Sequence, residues 1–543
     1  VEGRPADQVD LSGTGSSKPY IIIPPQGIFK GSRLQLDELG VRVQGELPII
    51  GGYTAHLTDR AVKKLEKAGY TVYLDEPDRF LPPAPWEKGG EEATELGTRA
   101  GEKAPEFKPR PPLDRPRFDT PLSQKYQGEG VTIAVVDTGI YPHPDFSYPR
   151  NRLVAFVDFV EGRTVPYDDN GHGTHVAGDA AGSGAQSGGL HRGTAPRASL
   201  VGVKVLNAQG SGRTSDILKG LEWCIQNRDR YNIRVINMSL GHPAQKKFEE
   251  DPIDQAVKKA WEAGIVVVAA AGNDGPARRT IKAPGDSPYA LTVGAADDNN
   301  TPDPSDDRIA DFSSRGPTPA GLKKPDLVAP GEAIMAPLSP ASPSEAMARR
   351  LGLLHETLGW LSSLRPEELA RVPEQQWVLM GLAPETIAKI KESPESARNE
   401  FNRLLAASAR MPMLATSYVG MPGTSMATPI VAGVVAQMLE ANPDLTPDQV
   451  KKILVETANP LPRYGPNSQG AGMVDPEEAL ERALSLARAQ TAAPEPRATG
   501  ERQAAPQPTS PAPEPTPPPE PAPPAPEPDP SAARPPAPPS EKA

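Results

Sequence analysis

VTIAVVDTGI, residues 131–140, is an unbroken apolar run that ends on a carboxylate, Asp137, followed by Thr138 and Gly139. Such a run, bounded by turn residues, reads as a strand buried on both faces. Three kinds of protein place Asp-Thr-Gly there: a peptidase in which two aspartates activate water, a nucleotide-binding crevice, and a nucleophilic triad. What surrounds the run decides among them.

Further apolar runs alternate with helical patterns as far as residue 295: HVAGDAA, SLVGVKVL, TSDILKGLEWCIQ, IRVINMSL, DQAVKKAWEA, GIVVVAAAG and YALTVGA. Uniformly apolar strands separated by amphipathic helices predict an α/β fold whose mainly parallel sheet is covered by helices on both faces. Ligands on such sheets sit beyond the carboxyl ends of the strands. Asp137 stands at one of those ends.

The 543 residues exceed one simple core, and 67 prolines mean that part of the chain is not packed structure. A net charge of −11 and the lack of a basic stripe argue against nucleic acid as a partner. Cys224 is the single cysteine, so no internal disulfide framework exists, and its helical setting marks it as a core residue. No run approaches the roughly 18 apolar residues of a membrane span. Residues 1–15 lack the basic start and apolar core of a secretory signal. That favours the cytoplasm if Val1 is the true start, and secretion if a signal segment has been removed.

A two-aspartate peptidase needs a second Asp-Thr/Ser-Gly triplet in a duplicated all-β fold, and this chain has neither. The glycine-rich GSGAQSGG, residues 182–189, fits no phosphate-binding fingerprint. A triad needs a histidine and an activated hydroxyl at the same rim. DDNGHGTHVAG supplies His172 between Gly171 and Gly173 at a helix start, and MPGTSMATPIVAGVVAQML supplies Ser425 at the start of an apolar helix, where backbone N–H groups favour negative charge. Taken singly, Ser425 could merely cap its helix, and His172 with His175 could be a stray pair.

AVVDTG, DDNGHGTHVAG, VVAAAGNDGP and GTSMATP, in that order, resemble the four catalytic motifs of the subtilisin-like serine peptidases, the subtilases, and GVKVLNAQGSGRTSD, YNIRVINMSLG and FSSRGPT are similar to the intracellular-type, AprX-like branch. The chain order Asp, His, Ser also sets this family apart from other serine peptidases. The resemblance implies a subtilisin-like three-layer fold and a serine endopeptidase that hydrolyses polypeptides through an acyl-enzyme. It assigns Ser425 as nucleophile, His172 as general base, Asp137 as the anion orienting His172, and Asn273 as oxyanion donor. It further implies that Gly210, Ser211, Gly212, Ser239, Leu240 and Gly241 pair with an extended substrate and that Ala270, Ala271 and Gly272 wall its pocket. Lys282 falls close to the pocket floor, where a cation favours tolerance of acidic side chains.

The strand-helix-strand rhythm of YTAHLTDRAVKKLEKAGYTVYLDE resembles the subtilase propeptide, which implies an intramolecular inhibitor and a self-processing zymogen. The expected organisation is a disordered start (1–19), this small α+β module (20–81), a linker (82–123), a catalytic domain in two parts (124–336 and 412–488), a helical insertion (337–411) and a Pro-rich disordered tail (489–543). In the insertion Met347, Leu351, Leu354, Leu358 and Leu361 recur on one helix face, with further helical pieces at 384–391 and 394–407. It reads equally as a lid over the site and as a stabilising decoration. Ile430 stands where the family often has histidine.

No cofactor is implied for catalysis. Structural calcium commonly braces the family, and Asp145 matches one ligand position, but GSGAQSGGLHRG lacks the amide that usually completes the loop; the acidic stretch 297–311 is either a hard-cation site or solvated. The rival to a peptidase is a non-catalytic scaffold of the same fold that binds partners through the insertion and the Pro-rich tail.

Overall fold

A computed structural model describes residues 17–25, 29–81 and 118–492, apart from 245–246, 300, 302, most of 341–358, 380–383, 409–413 and 416. The expected tail after residue 492, nearly all of the first nineteen residues and most of the linker therefore lie outside the described residues, as does most of the apolar helix face of the insertion, of which Leu361 is described and buried; residues 489–492, assigned to the tail, continue the last helix.

The amino-terminal module is an antiparallel sheet in the order β2 (Val43–Leu47), β3 (Gly52–Leu57), β1 (Lys18–Ile23), β4 (Thr71–Leu74), with helices α1 (Phe29–Glu38) and α2 (Asp59–Lys67). Thr58 caps α2 by accepting the Ala61 N–H, and Ala61 and Leu65 of that helix join Ile22, Tyr53 and Leu57 in a small core. A two-residue strand, β5 (Asp78–Arg79), follows.

The central sheet runs β6 (Thr132–Asp137), β7 (Leu153–Asp158), β8 (Ser199–Lys204), β10 (Ile233–Met238), β12 (Val266–Ala270), β14 (Leu291–Asp297), β15 (Arg308–Ile309) and β16 (Leu327–Pro330) along the chain. In space the order is β15-β14-β12-β10-β6-β8-β7, with β16 also on β14. All pairs are parallel except β14 with β15. Side chains alternate between the two faces. Ile133 and Val135 point into one core with helices α3 (His172–Ala181), α10 (Thr424–Ala441), α11 (Pro447–Thr457) and α12 (Pro476–Ala492), whereas Ala134 and Val136 point into the other with α4 (Thr214–Gln226) and α5 (Pro252–Glu262). This is the three-layer arrangement expected from the uniformly apolar strands. Cys224 lies in the second core, where burial pushes its thiol up to about 12.

Short strands complete the rim: β9 (Ser211–Gly212), and β11 (His242–Pro243) paired with β13 (Lys282–Ala283). Past β16 the chain forms β17 (Ile334–Pro337), antiparallel to β19 (Tyr418–Met421), with β18 (Leu414–Ala415) on the other side of β19. Between β17 and β18 lie α6 (Pro366–Leu369), α7 (Glu374–Leu379), α8 (Pro384–Glu392) and α9 (Pro394–Ser408), which enclose their own core of Leu369, Trp377, Ile387, Ile390 and Phe401. Among the described residues no helix is long and apolar enough to cross a membrane.

Candidate active site

β6 carries Asp137 to the carboxyl edge of the sheet, where its side chain is fully buried. Its Oδ1 accepts from the Thr138 N–H (2.7 Å) and lies 2.8 Å from His172 Nδ1. A carboxylate accepts only, so Nδ1 carries the shared proton and Nε2 is left as the basic nitrogen. Burial opposes charging of His172, but the charge and hydrogen bond of Asp137 outweigh it and hold the imidazole above its ordinary 6.5.

His172 is the first residue of α3, and Gly171 before it has φ +97°, a left-handed backbone that favours glycine. Gly173 lets the helix press against the end of β6: a Cβ there would collide with the Gly139 carbonyl. The glycines around His172 thus set how closely it approaches Asp137.

Ser425 lies in the first turn of α10, which packs on the same face of the sheet as α3. That helix contains Pro429, which has no N–H to return to the Ser425 carbonyl four residues back. The Ser239 hydroxyl donates to that carbonyl instead (2.8 Å), and the Ser425 hydroxyl donates to the Ser239 carbonyl (3.2 Å). Ser239 directly follows β10, the neighbour of β6, so the helix carrying Ser425 is tied to the strand end beside Asp137. Among the described residues the Ser425 hydroxyl makes this bond and none to His172.

Asn273 follows β12. Its Oδ1 accepts from both the N–H and the hydroxyl of Thr424 (2.9 Å each). A backbone N–H can only donate, so the amide oxygen is fixed on Thr424 and Nδ2 is left to donate elsewhere. It lines, with Ser425, Ser239, Ala270 and Gly272, a groove of about 610 Å³.

Along this groove lies a stretch of the chain itself. β5 pairs antiparallel with β9, so that Asp78 faces Gly212 and Arg79 faces Ser211. The Leu81 N–H donates to the Gly210 carbonyl and the Gly241 N–H to the Phe80 carbonyl, both at 3.1 Å. Gly210, Ser211, Gly212 and Gly241 are thus brought onto one extended segment, flanked by Ser239 and Leu240. Ala271 is different. Its N–H and carbonyl are consumed by Val293 and Lys282, it is fully buried, and it does not line the groove.

Lys282 lines the groove beside Gly241 and Gly272, where an added Cβ would run into its side chain, and its ammonium is paired with Asp274. Asp145 does not fit a cation. Its carboxylate already accepts from the Tyr418 hydroxyl (2.8 Å) and the Gly184 (2.9 Å) and Gln186 (3.3 Å) N–H groups, donors that a metal would have to displace. In the 297–311 stretch Asp297 pairs with Arg308, Asp303 caps a turn and Asp306 accepts from Thr301. Among the described residues no group of three or more His, Cys, Asp or Glu side chains is arranged to hold a metal.

Thr138, Asp168 and Thr424, which connect these groups, were not singled out from the sequence. All three lie inside the quoted motifs AVVDTG, DDNGHGTHVAG and GTSMATP.

A profile described as Subtilase family matches residues 128–474. Serine protease AprX of Bacillus subtilis (strain 168) is 44% identical over 362 residues, covering 66% of this chain and 67% of that protein. Subtilisin E of the same organism is 35% identical over 308 residues, or 56% of this chain and 68% of its own length. M-protease of Shouchella clausii (strain KSM-K16) is 33% identical over 352 residues, 65% and 64% of the two chains.

Proposed function

Since this chain belongs to the subtilase family and is a subtilisin-like serine endopeptidase, we propose that Ser425 is its nucleophile, His172 its general base and Asp137 the anion that orients and charges His172. The observation that carries this assignment is the 2.8 Å contact from a fully buried carboxylate to His172 Nδ1, which leaves Nε2 basic.

The hydroxyl of Ser425 leaves its rest position on the Ser239 carbonyl and gives its proton to His172 Nε2 as Oγ adds to the scissile carbonyl carbon. Asn273 Nδ2 and the Ser425 N–H donate to the oxygen that becomes negative. His172 then passes the proton to the departing amine nitrogen, and water repeats the cycle on the acyl-Ser425. Every proton carrier and nucleophile in these steps is a side chain of this protein or water. The polypeptide lies as an extra strand between residues 210–212 and 239–241.

The amino-terminal module is, in the same reading, an intramolecular inhibitor, and the chain is a zymogen that removes it. Residues 78–81 support this, since they use the backbone groups a substrate would need.

Fluorophosphonate labelling tests the first part: the parent is expected to be tagged at Ser425 and lose peptidase activity, and a folded parent that is neither tagged nor active would falsify the triad. Processing is tested by Ser425→Ala, which is expected to stay full length while the parent is shortened at its amino end. Equal shortening of both removes self-processing.

A further inference from the structure

Asp168, in the loop just ahead of His172, has a buried carboxylate that does not line the groove. Its Oδ1 accepts from the Thr138 hydroxyl (2.9 Å) and the N–H groups of Asn170 (3.1 Å) and Gly171 (2.8 Å). Its Oδ2 accepts from the Thr174 N–H (2.8 Å) and hydroxyl (2.6 Å). Thr138 is the residue after Asp137, and its hydroxyl also accepts from the Gly173 N–H (2.9 Å). Gly171 and Gly173 flank His172. One carboxylate therefore fastens the neighbours of Asp137 to the neighbours of His172.

We infer that Asp168 is a positioning residue of the reaction: it sets the His172 ring against Asp137 and supplies a second negative charge behind it. This rests on the triad assignment above. The alignment of Nδ1 with Oδ1 depends on how the first turn of α3 sits against the end of β6, and those two elements meet through Asp168 and Thr138. Every contact to the Asp168 carboxylate is from an N–H or O–H, so its bonds favour the charged form although burial pushes its pKa up. The loop is also held from outside, by the Ser339 hydroxyl on the Asp168 carbonyl (2.6 Å).

The other charges facing His172 are few. Asp137 comes from β6 and Asp179 from further along α3. Lys204 of β8 donates to the Thr138 carbonyl and is paired with Asp169. β17 brings no ionisable group, and the one on α10, Glu440, is turned to the N–H groups of Gly128 and Glu129.

Asp168→Asn keeps the shape but turns the amide NH2 toward at least two of the five donors and removes the charge. The expected result is a fall in kcat of about a hundredfold, the loss that a small misplacement of a catalytic group causes. KM stays within about threefold, and the acid limb of kcat/KM moves to lower pH, because His172 loses a neighbour that favoured its charged form. A purely structural residue would alter the yield of folded enzyme and leave that limb in place.

Thr174→Val, which deletes one hydroxyl donor and keeps the backbone contact, is expected to shift the limb the same way by a smaller amount, and it decides the matter if Asp168→Asn does not fold. An active parent whose folded Asp168→Asn variant, or failing that its Thr174→Val variant, has the parent's kcat and acid limb overturns this inference alone. A parent with no fluorophosphonate labelling and no turnover removes the triad and this inference together.

Discussion

Asn273 is held by its oxygen on Thr424, which leaves its amide hydrogens to donate to the oxyanion of the proposed mechanism. Asn273→Ala is expected to leave the fold and KM near those of the parent and to lower kcat by about a hundred- to a thousandfold, a size borrowed from the same substitution in a subtilisin. Steady-state kinetics on a short peptide check it, and an unchanged kcat would take Asn273 out of the site. At this scale Asp137, His172, Asn273 and Ser425 could be proposed from the sequence because each sits in a short motif whose glycines and small residues have no other obvious use. Asp168 was not, because an acidic residue in a polar loop reads as solvated until the fold closes Thr138 and Thr174 around it. Ala271 was assigned to the pocket wall along with its neighbours; of the three, Ala270 and Gly272 line the groove, and the backbone of Ala271 is bonded to Val293 and Lys282.

Among the elements, the sheet was readable because its strands are apolar on both faces, and α10 because it is apolar all round; sixteen of its residues are buried. The strand β5 was not readable. Two residues carry no periodicity, and their partner β9 lies more than a hundred positions away in sequence. Phe80, next to β5, is buried at 3% exposure with its ring edge-on to His242, centroids 5.8 Å apart. Phe80→Ala keeps the bond to Gly241 but loses the ring. Freshly folded Phe80→Ala protein is expected to cleave an added peptide at least about tenfold faster than the parent before either is processed, which corresponds to about 1.4 kcal/mol of lost occupancy. Matching initial velocities in the progress curves would mean that the segment does not restrain the site.

For the molecule as a whole, composition and alternation sufficed for the fold class, while the charge networks inside it depend on contacts between distant segments. Asp254 and Asp286 are both almost fully buried and face one another. Burial, reinforced by neighbouring carboxylates, raises Asp254 well above 3.8 and pushes Asp286 up to about 6. The folded state therefore holds protons that the unfolded chain releases, and stability falls as pH rises from about 4 through these raised values. Asp254→Asn removes that loss: its Tm relative to the parent is expected to climb between pH 4 and pH 8, and calorimetry giving a constant difference would show that the pair stays unprotonated throughout. The β17–β19 ladder also has a bearing on the ancestry of the fold. Ile334 faces Met421 and Pro337 faces Tyr418, so the two strands run side by side, and the helical segment departs and returns at a single doorway. Lengthening a connection costs free energy only as the logarithm of its size. The segment is thus a cassette, which a tight turn could replace or a foreign domain could occupy, without disturbing the strands that frame it.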